Sequence, residues 1–134
     1  PKFSAEVIDG MRIPAWDAQL TDRSSLGESL DRFPDGKQGV AFDAEALHFP
    51  LLVRSWAHGD VIRCFGMKGR AKVGDLFTNA KIPRPLRRAW PVVTHGEEIV
   101  WVMGLRRSDF APVTSETRTV RVLELDAAPS GFAN

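Results

Sequence analysis

A chain of 134 residues with 43% hydrophobic and 26% charged residues carries enough apolar material for one packed domain, or two very small ones, and too much for a disordered chain. Its apolar runs, such as Ile99 to Met103, fall far short of the roughly 18–20 residues a bilayer span needs, and no charged-then-apolar leader opens it, so a soluble protein with no membrane partner is expected. Lysine plus arginine is 18 and aspartate plus glutamate 17, and this balance of +1 hides a marked segregation of charge.

From residue 1 to 53 there are five basic and nine acidic residues, net −4; from 54 to 107 eleven and four, net +7; from 108 to 134 two and four, net −2. The cations of the middle segment are Arg54, Arg63, Lys68, Arg70, Lys72, Lys81, Arg84, Arg87, Arg88, Arg106 and Arg107. Such a composition suits a surface that meets a polyanion; the alternative is a solvated face neutralised by its acidic flanks. The single cysteine, Cys64, cannot form an internal disulfide, and a reducing, cytoplasmic setting fits. The chain opens on Pro1, so we read it as a piece excised from something longer.

In chain order, Lys2 to Ile8 reads as a short strand followed by a turn at Asp9-Gly10, and the polar stretch Asp17 to Arg32 as weakly helical. Phe33-Pro34-Asp35-Gly36 is turn chemistry, since proline fixes φ and glycine accepts the positive φ that follows. Gly39 to Asp43 reads as a strand. The plausible boundary lies near residues 33–38, and residues 1–49 form a strand-containing lead-in.

Leu51 to Trp56 predicts a strand closed by His58-Gly59-Asp60, with a second strand from Val61 to Phe65. Gly66-Met67-Lys68-Gly69-Arg70 is a basic loop. It leads into a helix over Lys72 to Lys81, whose Val73, Leu76, Phe77 and Ala80 recur at helical spacing. Pro83 ends it. Pro85 to Trp90 can form a second short helix with proline at its first position, ended by Pro91. Pro91 to Thr94 and Glu98 to Met103 flank His95-Gly96-Glu97 as a hairpin, and Ile99 to Met103 should be buried on both faces. Gly104 to Phe110 reads as a loop centred on Arg106-Arg107, and Thr117 to Leu125 as a final β-branched strand. The class is α+β: strands with one or two short helices.

No phosphate loop, dinucleotide fingerprint, zinc-protease motif, nucleophile elbow or C-x-x-C is present, so nothing announces catalysis. His48, His58 and His95 are isolated, and the latter two sit beside glycine, where a solvated imidazole is the default. Cys64 reads as a small core residue, and no metal site is expected. Among the aromatics, Phe77 and Trp101 belong in the core, whereas Trp90 and Phe110 lie beside basic residues and could stack on unpaired bases. The remaining chemistry is cationic: Lys68 and Arg70, then Arg84, Arg87 and Arg88, then Arg106 and Arg107. All lie in expected loops or helix ends, from which arginine forks can reach phosphate oxygens with little base specificity.

The order of Leu52-Val53-Arg54-Ser55-Trp56, Gly59-Asp60, Gly66-Met67-Lys68-Gly69, Lys72-Val73-Gly74-Asp75-Leu76-Phe77, Lys81-Ile82-Pro83, Trp90-Pro91-Val92-Val93, Ile99-Val100-Trp101-Val102 and Gly104-Leu105-Arg106-Arg107-Ser108-Asp109-Phe110 resembles the C-terminal domain of tRNA(Ile)-lysidine synthetase. The resemblance assigns residues 50–126 to that domain and leaves 127–134 as a tail. It implies a small three-layer domain with a β-sandwich of unusual topology, similar to a domain of the phenylalanyl-tRNA synthetase β subunit. It further implies a parent ligase that uses ATP, Mg and lysine in an N-terminal domain to convert the wobble cytidine of a CAU-anticodon tRNA(Ile) to lysidine. The S-G-G-x-D-S phosphate loop of that domain is absent here, so this chain is expected to need no cofactor, to have no enzyme activity alone, and to grip the tRNA body and acceptor stem.

Carried onto this sequence, the resemblance makes Arg54, Lys68, Arg70, Lys72, Arg84, Arg106 and Arg107 candidate phosphate contacts, with Arg87 and Arg88 added by the charge count. Asp60, Asp75 and Asp109 are expected to fix nearby arginines or cap turns. The implied partners are the tRNA, the N-terminal catalytic domain and a possible second copy, with no DNA. The rival reading is a protein interaction module whose basic face docks an acidic surface of its parent chain.

Overall fold

The computed structural model describes residues 2–14, 16–29, 33–64, 66 and 68–127. Among these the strands are β1 (Ser4–Glu6), β2 (Met11–Arg12), β3 (Gln19–Leu26), β4 (Gly39–Asp43), β5 (Leu51–Ser55), β6 (Val61–Ile62), β7 (Ala71–Lys72), β8 (Pro91–His95), β9 (Glu98–Val102), β10 (Arg106–Arg107) and β11 (Thr119–Leu125); the helices are α1 (Val73–Asn79) and α2 (Arg84–Arg87). The larger sheet runs β1-β5-β8-β9-β6-β7, with β10 also on β9, and the smaller runs β2-β3-β11-β4. All pairings are antiparallel except that of β6 with β9.

Three layers follow from which side chains share a core. Leu20, Val40, Phe42, Leu123 and Leu125 of the small sheet pack with Leu51, Val53, Val93, Val100, Trp101 and Met103 of the large sheet and the residue just beyond it. The opposite face of the large sheet gives Ile62, Val92, Ile99 and Val102 to a second core shared with Val73 and Phe77 of α1, Ile82 and Trp90. This is why Ile99 to Met103 is buried throughout: the large sheet is covered on both faces. The pairing of β8 with β9 skips Val100, a bulge that sends both Val100 and Trp101 into the core between the sheets. Cys64 is buried in the helix-side core.

β4 has the expected bounds, and Gly36 takes the expected positive φ of 87°. The polar stretch from Asp17 differs: residues 19–26 form β3, followed by a 3-10 turn at Gly27–Ser29, and residues 30–32 lie outside the described residues. β3 pairs with β11 over seven residues. Its Leu20 is fully buried, and its Asp22 takes a two-point ion pair from Arg121 at 2.7 and 2.9 Å. Backbone pairing with a strand far along the chain thus outweighs the low β propensity of a polar sequence. β1 likewise pairs with β5, so the N-terminal segment adds strands to both sheets, while the C-terminal β11 lies inside the smaller one.

α1 is shorter than its apolar spacing suggests, because Lys72 holds an extended backbone in β7 and Lys81 has φ 58°. The second helix begins one residue early, with Pro83 as its N-cap. The strand expected to reach Phe65 stops at Ile62, with Cys64 forming an isolated bridge to Ser108; Phe65 and Met67 lie outside the described residues. No helix among the described residues is long and apolar enough to cross a membrane.

Candidate nucleic-acid interface

The register of β10 on β9 separates the two adjacent arginines. Arg106 stands opposite Val102, whose side chain enters the helix-side core, and Arg107 stands opposite Trp101, which points between the sheets. Partners directly opposite in a ladder share a face. Arg106 is accordingly exposed on the helix side. Arg107 turns inward and donates from Nε to the Ser108 carbonyl (2.8 Å), from Nη1 to that of Ala41 (2.6 Å) and from Nη2 to that of Phe110 (2.6 Å). Its guanidinium lies 5.1 Å from the centre of the Phe42 ring, and its stem fills the space a Cβ on Gly36 would need. Burial lowers its pKa, and the charge of Asp109 opposes that shift.

The expectation that both arginines reach outward from a loop is therefore corrected: the segment is a strand, and Arg107 clips the large sheet to β4. Nor does Asp109 form a buried ion pair. It is exposed, and carbonyl oxygens take the place expected for its carboxylate.

Arg54 also differs from a free phosphate contact. It sits in the middle of β5, opposite Val92 and so on the helix side, and its fork grips Asp60 at 2.9 and 3.1 Å. Asp60 also accepts the Ala57 N–H at 2.8 Å, so the pair fixes the turn between β5 and β6, as expected of Asp60. Arg87 is half-buried, donating Nε to the Ile82 carbonyl at 2.9 Å and lying 5.7 Å from the Phe77 ring centre. Asp75 lies exposed in the first turn of α1.

The other candidate cations are exposed. Lys68 and Arg70 lie in the loop before β7, Lys72 at the start of α1, Arg84 on α2 and Arg88 at its end. Arg70 meets Glu98 at 3.3 Å, a contact between two half-exposed side chains that contributes little. Lys68, Arg70, Lys72, Arg84, Arg88 and Arg106 thus fall on the helix layer or on the β7 edge beside it, whereas Arg107 points to the other face of the sheet.

Two aromatic expectations are corrected. Trp90 is fully buried and donates its indole N–H to the Met103 carbonyl at 2.8 Å, so it cannot stack on a base. Phe110 is half-buried and already stacked on His95, ring centres 4.5 Å apart. His95 itself is not a solvated turn residue. It ends β8, only 8% exposed, and its Nε2 accepts the backbone N–H groups of His48 and Phe49, both at 3.1 Å. Burial, followed by the charge of His48, lowers its pKa.

Trp56, half-buried against the helix-side core, also lines a cavity of about 340 Å³ together with Lys2, Ala57, His58 and Arg88. No local pattern marks this grouping, because Lys2, Trp56 and Arg88 lie far apart in the sequence. Among the described residues no group of His, Cys, Asp or Glu side chains is placed to hold a metal ion.

Residues 51–124 match the family model described as the TilS substrate C-terminal domain. A tRNA(Ile)-lysidine synthase of Geobacter sulfurreducens is 40% identical over 84 residues, covering 63% of this chain and 18% of the relative. One from Persephonella marina is 32% identical over 127 residues, covering 92% of this chain and 28% of the relative. The chain therefore spans about a fifth to a quarter of the length of these curated relatives. A crystal structure of a TilS C-terminal domain superposes with a TM-score of 0.82 over 98% of this chain and all of that one, at 24% identity, and so shares its fold. With more than half of its length matched by the family model and its three-layer α+β architecture shared, this chain belongs to the TilS substrate C-terminal domain family.

Proposed function

We propose that this chain is the part of a tRNA(Ile)-lysidine synthetase that holds its substrate, a tRNA(Ile) with a CAU anticodon, by the tRNA body and acceptor stem. The parent enzyme's ATP-dependent ligation would then be carried out by an N-terminal catalytic domain in the cytoplasm. The observation that carries the reading is the set of exposed cations on the helix layer and the neighbouring β7 edge: Lys68, Arg70, Lys72, Arg84, Arg88 and Arg106. Lysine and arginine held on a rigid sheet and its helices neutralise phosphates without reading bases, which suits recognition of a folded RNA by shape. Arg87, with its terminal nitrogens beyond the bond to Ile82, extends the set. Arg54 and Arg107 act in this reading as supports, one fixing a turn and one joining the sheets.

The residues present do not fit ATP, Mg and lysine. The sequence has no S-G-G-x-D-S loop, and the described residues bring no acidic cluster together. No step of the ligation is assigned to this chain.

The test is binding to an isoleucine tRNA transcript and to a hairpin of its anticodon arm, each at two salt concentrations. The full tRNA should bind, the hairpin should fail, and the log of the affinity should fall with log salt by about 0.7 to 0.9 per phosphate contact. Arg106→Ala should weaken binding and reduce that slope by about one contact while leaving the melting temperature nearly unchanged. Failure of both RNAs to bind would move the basic face to a role in docking the parent chain or a second copy.

A further inference from the structure

The cavity under Trp56 has a different character from the cationic surface around it. Its walls are the indole of Trp56, the imidazole of His58, Ala57 and the exposed chains of Lys2 and Arg88; among the described residues no carboxylate lines it. Trp56 is held from behind: its backbone N–H donates to the Trp90 carbonyl at 2.8 Å, and its ring meets that of Phe77 edge to face, centres 5.2 Å apart. The indole N–H is shielded from solvent and meets no acceptor, so what the ring offers the cavity is carbon surface. His58 stands edge-on to Trp56 at 6.3 Å, on the turn that Arg54 and Asp60 hold closed. Neither Lys2 nor Arg88 has an ion-pair partner among the described residues.

We propose that Trp56, His58, Lys2 and Arg88 form a subsite for one unpaired nucleotide of the bound RNA, its base stacked on the indole and its phosphate met by the two cations. This rests on the RNA-binding reading above and deepens it. A volume of about 340 Å³ lies at the small end of the range of roughly 300–1,000 Å³ for ligand sites, which suits one planar base and excludes a duplex. A carbon-walled platform beside positive charge selects a π-face joined to a phosphate, and the lack of an exposed ring donor makes it tolerant of base identity. An acidic peptide would find the charges but no use for a flat apolar wall. The rigid seat of Trp56 on Phe77 limits the ordering that binding must impose.

The experiment measures the affinity of the chain for a short blunt RNA duplex and for the same duplex carrying a single-stranded overhang of about three nucleotides. The overhang should tighten binding about fivefold or more, and equally for purine and pyrimidine overhangs. Trp56→Leu should abolish that gain and leave the blunt-duplex affinity unchanged. Because Trp56 also packs on Phe77, a double variant of exposed residues, Lys2→Ala with Arg88→Ala, serves as the second probe and should lose most of the gain while melting like the parent. Equal affinity for both RNAs, or a gain that survives both variants, would overturn the subsite and leave the RNA-binding reading standing. Binding of neither RNA would remove that reading and the subsite with it.

Discussion

Replacing Arg107 by alanine should destabilise the fold far more than replacing its neighbour. The substitution leaves three carbonyl oxygens, those of Ala41, Ser108 and Phe110, without the charged donor that now reaches them at 2.6–2.8 Å. Hydrogen bonds to a charged group contribute about 1.5–3 kcal/mol each. Three would give about 4.5–9 kcal/mol, but much of this offsets the cost of burying the guanidinium, a burial that lowers its pKa against the opposing charge of Asp109. The contact with Phe42 adds about 0.5–1 kcal/mol. A net loss of about 2–4 kcal/mol is expected, which for a domain of this size lowers Tm by roughly 8–15 °C. Arg106→Ala, at an exposed position on the other face, should lose less than about 0.5 kcal/mol. Arg107→Lys should recover only part of the loss, because a single ammonium cannot span three carbonyls set in a fork. Urea and thermal unfolding of the variants, followed by circular dichroism, measure this. Equal stability of the two alanine variants would refute the assignment of Arg107 as an inter-sheet clip.

Two further outcomes follow from buried polar groups. His95 is neutral in the fold, since its Nε2 must stay unprotonated to accept two N–H groups, and its pKa lies below the ordinary 6.5. Its contribution is thus fully present above pH 6.5, declines as pH falls below that value, and is gone once pH passes below the folded pKa. Melting temperatures between pH 7 and 5 should fall more steeply for the parent than for His95→Phe, and parallel curves would contradict the buried acceptor role. Asp60→Ala should cost about 1–3 kcal/mol by leaving half-buried Arg54 and the Ala57 N–H without their partner, and should speed amide exchange at Ala57. Unchanged exchange there would show that the turn holds without the ion pair.

The features legible in the chain are those whose causes are local. Turn chemistry placed Gly36 and the hairpin after β8, helical spacing placed Val73 and Phe77 on a buried face, and an unbroken apolar run marked β9 as covered on both sides. The segregation of charge likewise marked residues 54–107 as the cationic part of the surface. Tertiary structure alone decided matters of pairing and face. β3 is a strand because β11, whose Arg121 lies 99 residues beyond Asp22, offers it a backbone ladder and a counter-ion. Arg106 and Arg107 have opposite fates because adjacent residues of a strand point to opposite faces, and only the register with β9 says which face is which. Trp90 is lost to the core, and Trp56 joins Lys2 and Arg88 around a cavity, because burial is settled by what packs against a side chain and not by the residues beside it in sequence.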